Sequence, residues 1–165
     1  FLYTAGPYPL AYHGWGDVLV IVFFGFVPVG CTYYTMAHDW TWNVTIGCAA
    51  CGLVSDLLLM LNNYRDREQD KISGKRTLIV RFGEKAGRYA YLWLGIIAVG
   101  IFSYYAFKGY LLAALLPLIF LIPHITTWRE MVRIFKGKEL NIVLGKTARN
   151  IVLFGLLLSL GLILS

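Results

Sequence analysis

Asp66 and Asp70 sit four residues apart in a short island of charge, Asn62 to Thr77, that ends a long apolar run. On a helix two such residues lie about 40° apart around the axis and roughly 6 Å along it, so their carboxylates can converge on one cation. Asn63, three residues before Asp66, shares that face and can add a carboxamide oxygen. Mg²⁺ favours such a set: one or two carboxylates, several waters and the phosphate oxygens of a substrate. Arg65, Lys71, Lys75 and Arg76 surround the acids and offer charge to a diphosphate, arginine through its two-pronged donor face and lysine as a point charge. Gly74 would let the chain turn closely over such a substrate.

Two other phosphate or metal motifs fail on these residues. A phosphate-binding P-loop needs glycine where Gln69 stands and Ser or Thr where Arg76 stands. A calcium loop starting at Asp66 needs glycine at Lys71 and glutamate at Thr77. A solvated loop whose basic residues serve only to orient a membrane protein is the bland alternative, and the shared face of Asn63, Asp66 and Asp70 counts against it.

The elements that must carry this island are membrane helices. The chain has 165 residues, 58% hydrophobic and 15% charged, with a mean hydropathy of +0.64. That is too apolar for a soluble domain of this size. Uncharged stretches recur at 18–36, 40–55, 89–107 and 109–128, with a last run from 150 to the end. The second reaches spanning length as 43–63 if Asp56 is admitted, and the last requires Lys146 and Arg149 to snorkel. The expected fold is all-α, a polytopic bundle of about five transmembrane helices. Pro28 should bend the first, and Pro117 and Pro123 the fourth. Gly25, Gly47, Gly52 and Gly155 should allow close helix contact.

Charge placement orients the bundle. Of 15 Lys and Arg, eight lie between Arg65 and Arg88, six between Arg129 and Arg149, and Lys108 alone lies elsewhere. In a five-span chain those two loops share one side, and the positive-inside rule makes it cytoplasmic. The expected setting is a multi-pass protein of the inner (cytoplasmic) membrane, with His38–Thr41 and Lys108–Gly109 on the far side. The net charge of +6 is a topology signal that also suits anionic lipid, and its confinement to loops between spans argues against a nucleic-acid partner.

Single residues are weighed on the same terms. Cys48 and Cys51 form a C-x-x-C inside an apolar helix with no second pair, which reads as small-residue packing. Asp56, the one carboxylate deep in a span, faces a cavity or a neutral hydrogen-bonded packing site. His124 is expected to make a core hydrogen bond. Glu84, Lys85 and Arg88 are expected to cap and orient the start of the third helix. His38 and Asp39 belong to an outward turn, and Tyr33 and Tyr34 to an aromatic belt.

The run N-N-x-R-D-x-x-x-D-x-x-x-G-K-x-T-L, Asn62 to Leu78, resembles the second aspartate-rich motif of the UbiA superfamily of intramembrane prenyltransferases. Within it the match is to the branch that prenylates 1,4-dihydroxy-2-naphthoate in menaquinone synthesis. Tyr3-Thr4-x-Gly6-Pro7-x-Pro9-Leu10-x-Tyr12 and Phe23-Phe24-Gly25 resemble the same branch. The resemblance covers essentially the whole chain. It implies transfer of a polyprenyl group from polyprenyl diphosphate to dihydroxynaphthoate with decarboxylation. Asp66 and Asp70 would act through Mg²⁺ in a lipid bilayer.

The superfamily has about nine helices and two aspartate-rich loops, and the first, N-D-x-x-D-x-x-x-D, is absent here. Together with the start at Phe1, this leads to the expectation that residues 1–165 are the C-terminal part of one prenyltransferase domain. Such a piece, lacking its N-terminal half, should be an open half-bundle, inactive alone. Two alternatives stay open: a prenyltransferase for another aromatic acceptor, and a non-catalytic transport or scaffold fragment. The last predicts indifference to Asp66 and Asp70.

Overall fold

A computed structural model describes residues 10–165 as helices joined by short turns, with no strand among the described residues. The expectations for Tyr3 to Pro9 lie outside this range. After a 3₁₀ turn at Leu10–His13, five segments are long and apolar enough to cross a membrane: α1 Gly16–Ala37, α2 Trp42–Ile72, α3 Leu78–Phe107, α4 Leu111–Ile134 and α5 Leu140–Leu164. This is the expected five-span all-α bundle. The third and fifth spans start well before the bare apolar runs suggest, because charged turns of helix extend past the apolar core.

Local chemistry sets the ends. Thr41 caps α2 by accepting from the Val44 N–H at 3.4 Å, and Thr77 caps α3 by accepting from Val80 at 3.3 Å. The cap of the third helix is thus Thr77, not the Glu84, Lys85 and Arg88 group. Those residues follow a break at Gly83, whose φ of 86° ends the first turns of α3 before the long segment begins. His38, with φ 53°, closes α1, and Gly74, with φ 75°, turns the chain away from α2. Pro28 lies in a π-wound stretch, Val22–Gly30. Pro117 opens a 3₁₀ stretch, Leu116–Phe120, so both prolines sit where the winding changes. Pro123 lies within regular α-helix.

The central element is α2, with 56% of its most apolar window buried against 11% for α1. It packs on α1, α3 and α5, while α4 fills the angle between α3 and α5. The α1–α2 crossing is backbone to backbone. A Cβ at Gly25 would strike the Cys48 carbonyl and Gly52, and one at Gly52 would strike the Ile21 backbone. These two glycines do what was expected of them. Gly155 does not: nothing lies within 4 Å of where its Cβ would stand.

The interior between α3, α4 and α5 is aromatic with a few buried polar groups. His124 is fully buried, stacked on Tyr91 and Phe120 at 5.1 Å each. Its Nε2 meets the Leu92 carbonyl at 3.1 Å, the core hydrogen bond anticipated for it. Asn150 donates to Thr127 Oγ1 at 2.9 Å and to the Pro123 carbonyl at 3.2 Å. Cys31, Cys48 and Cys51 are free thiols, and Cys48 is buried in the α1–α2 contact. Phe23 and Phe24 of α1 and Val152, Leu156 and Ile163 of α5 leave large apolar faces exposed, as lipid contact requires.

Candidate functional site

The last three turns of α2 carry the charged island, and their position follows from one buried ring. Tyr64 is fully buried, and it anchors two arginines. Arg67 donates to the Tyr64 carbonyl at 2.6 Å, and Arg88 of α3 donates to the Tyr64 hydroxyl at 2.9 Å. Arg67 also reaches the α4–α5 loop, donating to the Phe135 carbonyl at 3.1 Å. The two basic loops therefore meet at one end of the bundle, as the charge distribution implied.

Asp66 stands at the mouth of a cleft. Arg65 grips both its oxygens, at 2.7 Å each, in the forked geometry that suits carboxylates. A third arginine nitrogen donates to Asn141 Oδ1 of α5 at 2.8 Å. Arg65, Asp66, Gly137, Lys138 and Asn141 enclose a space of about 420 Å³ between the end of α2 and the α4–α5 loop.

Asp70, one turn further, is buried with Lys75 on its Oδ1 at 2.6 Å. The turn is tightly built. Lys75 N–H donates to the Asp70 carbonyl at 2.9 Å, and Ser73 Oγ donates to the same carbonyl at 3.1 Å. The hydrogen bond that Lys75 donates to Asp70 holds its ammonium above the ordinary lysine range, and Asp66 adds to the effect from a greater distance. One cation is thus attracted by both carboxylates. The N-terminal turn closes this side: Arg76 N–H donates to the Tyr12 carbonyl at 2.9 Å, and Lys75 sits 5.9 Å from the Tyr12 ring centre.

The four cations expected around the acids divide into two pairs. Arg65 and Lys75 touch the carboxylates, whereas Lys71 and Arg76 are exposed. Asn63 is half-buried and has no hydrogen-bond partner among the described residues. Gly74 supplies a left-handed turn but has nothing within 4 Å of its missing side chain.

The donor set suits a hard divalent cation. Two carboxylates a helical turn apart already attract a shared ammonium, and Asn63 leaves an uncommitted amide on the same face. No group of three or more His, Cys, Asp or Glu is found among the described residues. Any metal would therefore need further oxygens from water or a ligand.

Sequence reasoning passed over three features here. The first is a pair of stacked arginines: the Arg67 and Arg88 guanidinium carbons both lie 5.0 Å from the Phe135 ring centre, and Glu84 bridges the two at 3.6 Å each. The second is Lys138 with Asn141, whose only sequence signal is the Lys136-Gly137-Lys138 turn. The third is Asp17. Gly25 against Cys48 and Ile21 against Gly52 set an antiparallel register that brings Asp17 level with Asp56. Each carboxyl has one buried oxygen, Oδ1, without a partner among the described residues. Asp56 therefore faces α1 and not the charged end, and the hydrogen-bonded packing expected for it is not formed at that oxygen. Lys146 pairs with Glu130 of α4 at 2.6 Å.

Comparison with known sequences decides the family. The sequence model of the UbiA prenyltransferase family matches residues 1–140. The chain belongs to that family.

Among characterised relatives, the 1,4-dihydroxy-2-naphthoate octaprenyltransferase of Escherichia coli (strain K12) is 34% identical over 169 residues, 99% of this chain and 53% of the relative. The enzyme of the same name from Haemophilus influenzae is 32% identical over 173 residues, 98% of this chain and 53% of the relative. That of Mycobacterium leprae is 39% identical over 103 residues, 62% of this chain and 35% of the relative. The chain thus spans about half the length of the first two. No solved structure gives a significant match. The resemblance read from Asn62 to Leu78 is confirmed at family level, and the helices that carry it are those of a UbiA-family protein.

Proposed function

We propose that this UbiA-family chain carries one aspartate-rich half of a prenyl diphosphate site, in a protein that prenylates 1,4-dihydroxy-2-naphthoate with loss of the carboxylate. The observation that carries the reading is the end of α2, where Asp66 and Asp70 draw one cation, Lys75, beside a cleft lined by Arg65. The relatives' names support the naphthoate acceptor. Asp66, Asp70 and Asn63 would hold Mg²⁺, which supplies positive charge to a departing diphosphate.

The chain's own residues account for the rest of the site. Arg65 is held by Asp66 and Asn141 in one orientation, so its charge is in place before substrate arrives. Lys75 is tethered to Asp70 and can turn to phosphate when the acid is otherwise occupied. Lys71 and Arg76 raise the positive potential at the mouth. In the reaction the allylic C–O bond breaks and its electron pair leaves with the diphosphate. The ring carbon bearing the carboxylate bonds to the prenyl cation. The bond to the carboxylate then breaks, carbon dioxide departs, and its electrons restore the aromatic ring. Aromatic faces stabilise the cation on the way.

The basic end lies on the cytoplasmic side of the inner membrane in this reading, supported by the 14 Lys and Arg that gather there. Apolar helix surfaces keep the isoprenoid tail in the bilayer. The remaining ligands, including a first aspartate-rich motif, would come from sequence that the relatives have and residues 1–165 do not contain.

The test is Asp66→Ala and Asp70→Ala in the full coding sequence, assayed in membranes with dihydroxynaphthoate, a polyprenyl diphosphate and saturating Mg²⁺. Both should abolish transfer. Turnover near that of the parent protein would sink the assignment and favour a transport or scaffold role.

A further inference from the structure

The cleft at Asp66 has two walls, and the second comes from the loop between α4 and α5. That loop is built with strain. Phe135 has φ 66° and ψ −53°, and Lys136 N–H donates to the Ile134 carbonyl at 2.7 Å across it. This is a γ-turn of the rare, unfavourable hand. Such a conformation persists only when its surroundings hold it, and here they do. Arg67 donates to the Phe135 carbonyl, and the ring lies under both Arg67 and Arg88. Two residues on, Gly137 takes φ 96°, and its carbonyl accepts from the N–H of Leu140 at 3.2 Å to start α5. The consequence is positional. Lys138 in this loop and Asn141 in the first turn of α5 are set opposite Asp66, and the loop cannot swing away without releasing two arginines.

The charges in the cleft do not balance. Both Asp66 oxygens are taken by Arg65, whose third nitrogen donates to Asn141. Lys138 lines the same space and its ammonium has no ion-pair partner among the described residues. Two cations face one carboxylate, so the cleft has room and charge for an anion.

We propose that Lys138 is a further diphosphate-binding residue, delivered to the Asp66 cleft by the loop that Arg67 and Arg88 pin through Phe135. The proposal rests on the prenyl diphosphate reading of this site. Lys138 acts as a point charge on a phosphate oxygen, while Arg65, held by Asp66, adds its charge from the other wall. An anchored loop gives the ligand a preformed site, so little ordering cost falls on binding.

The test uses the full coding sequence, solubilised in detergent with Mg²⁺, and inorganic pyrophosphate as the probe. Titration calorimetry would compare the parent, Lys138→Gln, Lys138→Arg and, as a far-side control, Lys108→Gln. Loss of one charged contact should weaken pyrophosphate binding roughly tenfold in Lys138→Gln. Lys138→Arg should recover most of it, and Lys108→Gln should match the parent. In transfer assays KM for the polyprenyl diphosphate should rise in Lys138→Gln while KM for the aromatic acceptor stays. Unchanged pyrophosphate affinity in Lys138→Gln overturns the inference while leaving the Asp66 and Asp70 result intact. So does a variant that loses only retention on vesicles of anionic phospholipid, since Lys138 would then serve a lipid headgroup. A parent protein that transfers no prenyl group and ignores pyrophosphate overturns the reading beneath it.

Discussion

Lys75 holds its ammonium 2.6 Å from Asp70 Oδ1, across a turn that its own backbone N–H closes onto the Asp70 carbonyl. The pair joins the end of α2 to the loop that follows, with Asp70 buried and Lys75 about a third exposed. Removing the cation in Lys75→Met leaves a buried carboxylate without its partner, so stability should fall by roughly 1–2 kcal/mol after allowing for solvent on the lysine side. The pH dependence has a definite sign. The folded-state value of Lys75 is raised, by the Asp70 hydrogen bond first. Its contribution is then complete below the ordinary lysine value of about 10.5 and lost as pH climbs through the higher folded value. Thermal unfolding in detergent should show no Lys75-dependent change between about pH 6 and 9, and a narrowing gap between parent and variant at higher pH.

Asp66 and Asp70, both proposed to serve transfer, should separate by stability. Asp66 is 44% exposed and Asp70 only 5%. Asp70→Ala strips Lys75 and the turn of an anchor and should lower Tm by several degrees, whereas Asp66→Ala should leave Tm close to the parent. Differential scanning fluorimetry of both purified variants reads the split. Equal losses would mean that Asp66 is structural as well.

Phe135 tests the strained turn. Phe135→Ala keeps the unfavourable φ of 66° and loses the ring beneath two guanidiniums. Phe135→Gly loses the ring but relieves the backbone, so it should be the more stable variant by about 1 kcal/mol. Arg67→Lys should cost about 1–2 kcal/mol, because an ammonium cannot serve the Tyr64 and Phe135 carbonyls in the plane that the guanidinium does. Chemical denaturation would rank the three.

The α1–α2 crossing offers a matched pair of glycines. Gly25→Ala drives a methyl into the Cys48 carbonyl and the Gly52 backbone, and should destabilise by roughly 1–3 kcal/mol. Gly155→Ala adds a methyl in open space and replaces a poor helix former, so it should be neutral or stabilising by up to about 1 kcal/mol. Tm shifts of opposite sign would verify the register that brings Asp17 to Asp56.

Asp56 is buried with an oxygen that no group among the described residues satisfies. Replacement of an unpartnered polar group by an apolar one of similar size removes a desolvation cost, so Asp56→Leu should be folded and at least as stable as the parent. Prenyl transfer should persist in it, since Asp56 faces α1. Loss of transfer with retained folding would place Asp56 in the reaction.

The residue pattern alone determined the class of protein and the family that its charged motif resembles. Five apolar runs permit little except membrane helices, because backbone groups in lipid must be satisfied within the helix itself. The 3.6-residue period placed Asn63, Asp66 and Asp70 on one face, since that relation is local to a single helix. The ends of helices were less legible: Thr77, and not the Glu84, Lys85 and Arg88 group, caps α3, and Gly83 breaks it.

Only the tertiary structure decided which partners those residues meet. The pairing of Lys75 with Asp70, the opposition of Lys138 and Asn141 to Asp66, the arginines on Phe135 and the approach of Asp17 to Asp56 join residues from different helices or across turns. Helical period carries no information across those separations. Their placement follows from glycine contacts that fix the α1–α2 register, from the buried Tyr64 ring, and from a left-handed turn at Gly74. Spacing along one helix is written in the chain, whereas contact between helices is set by which surfaces pack.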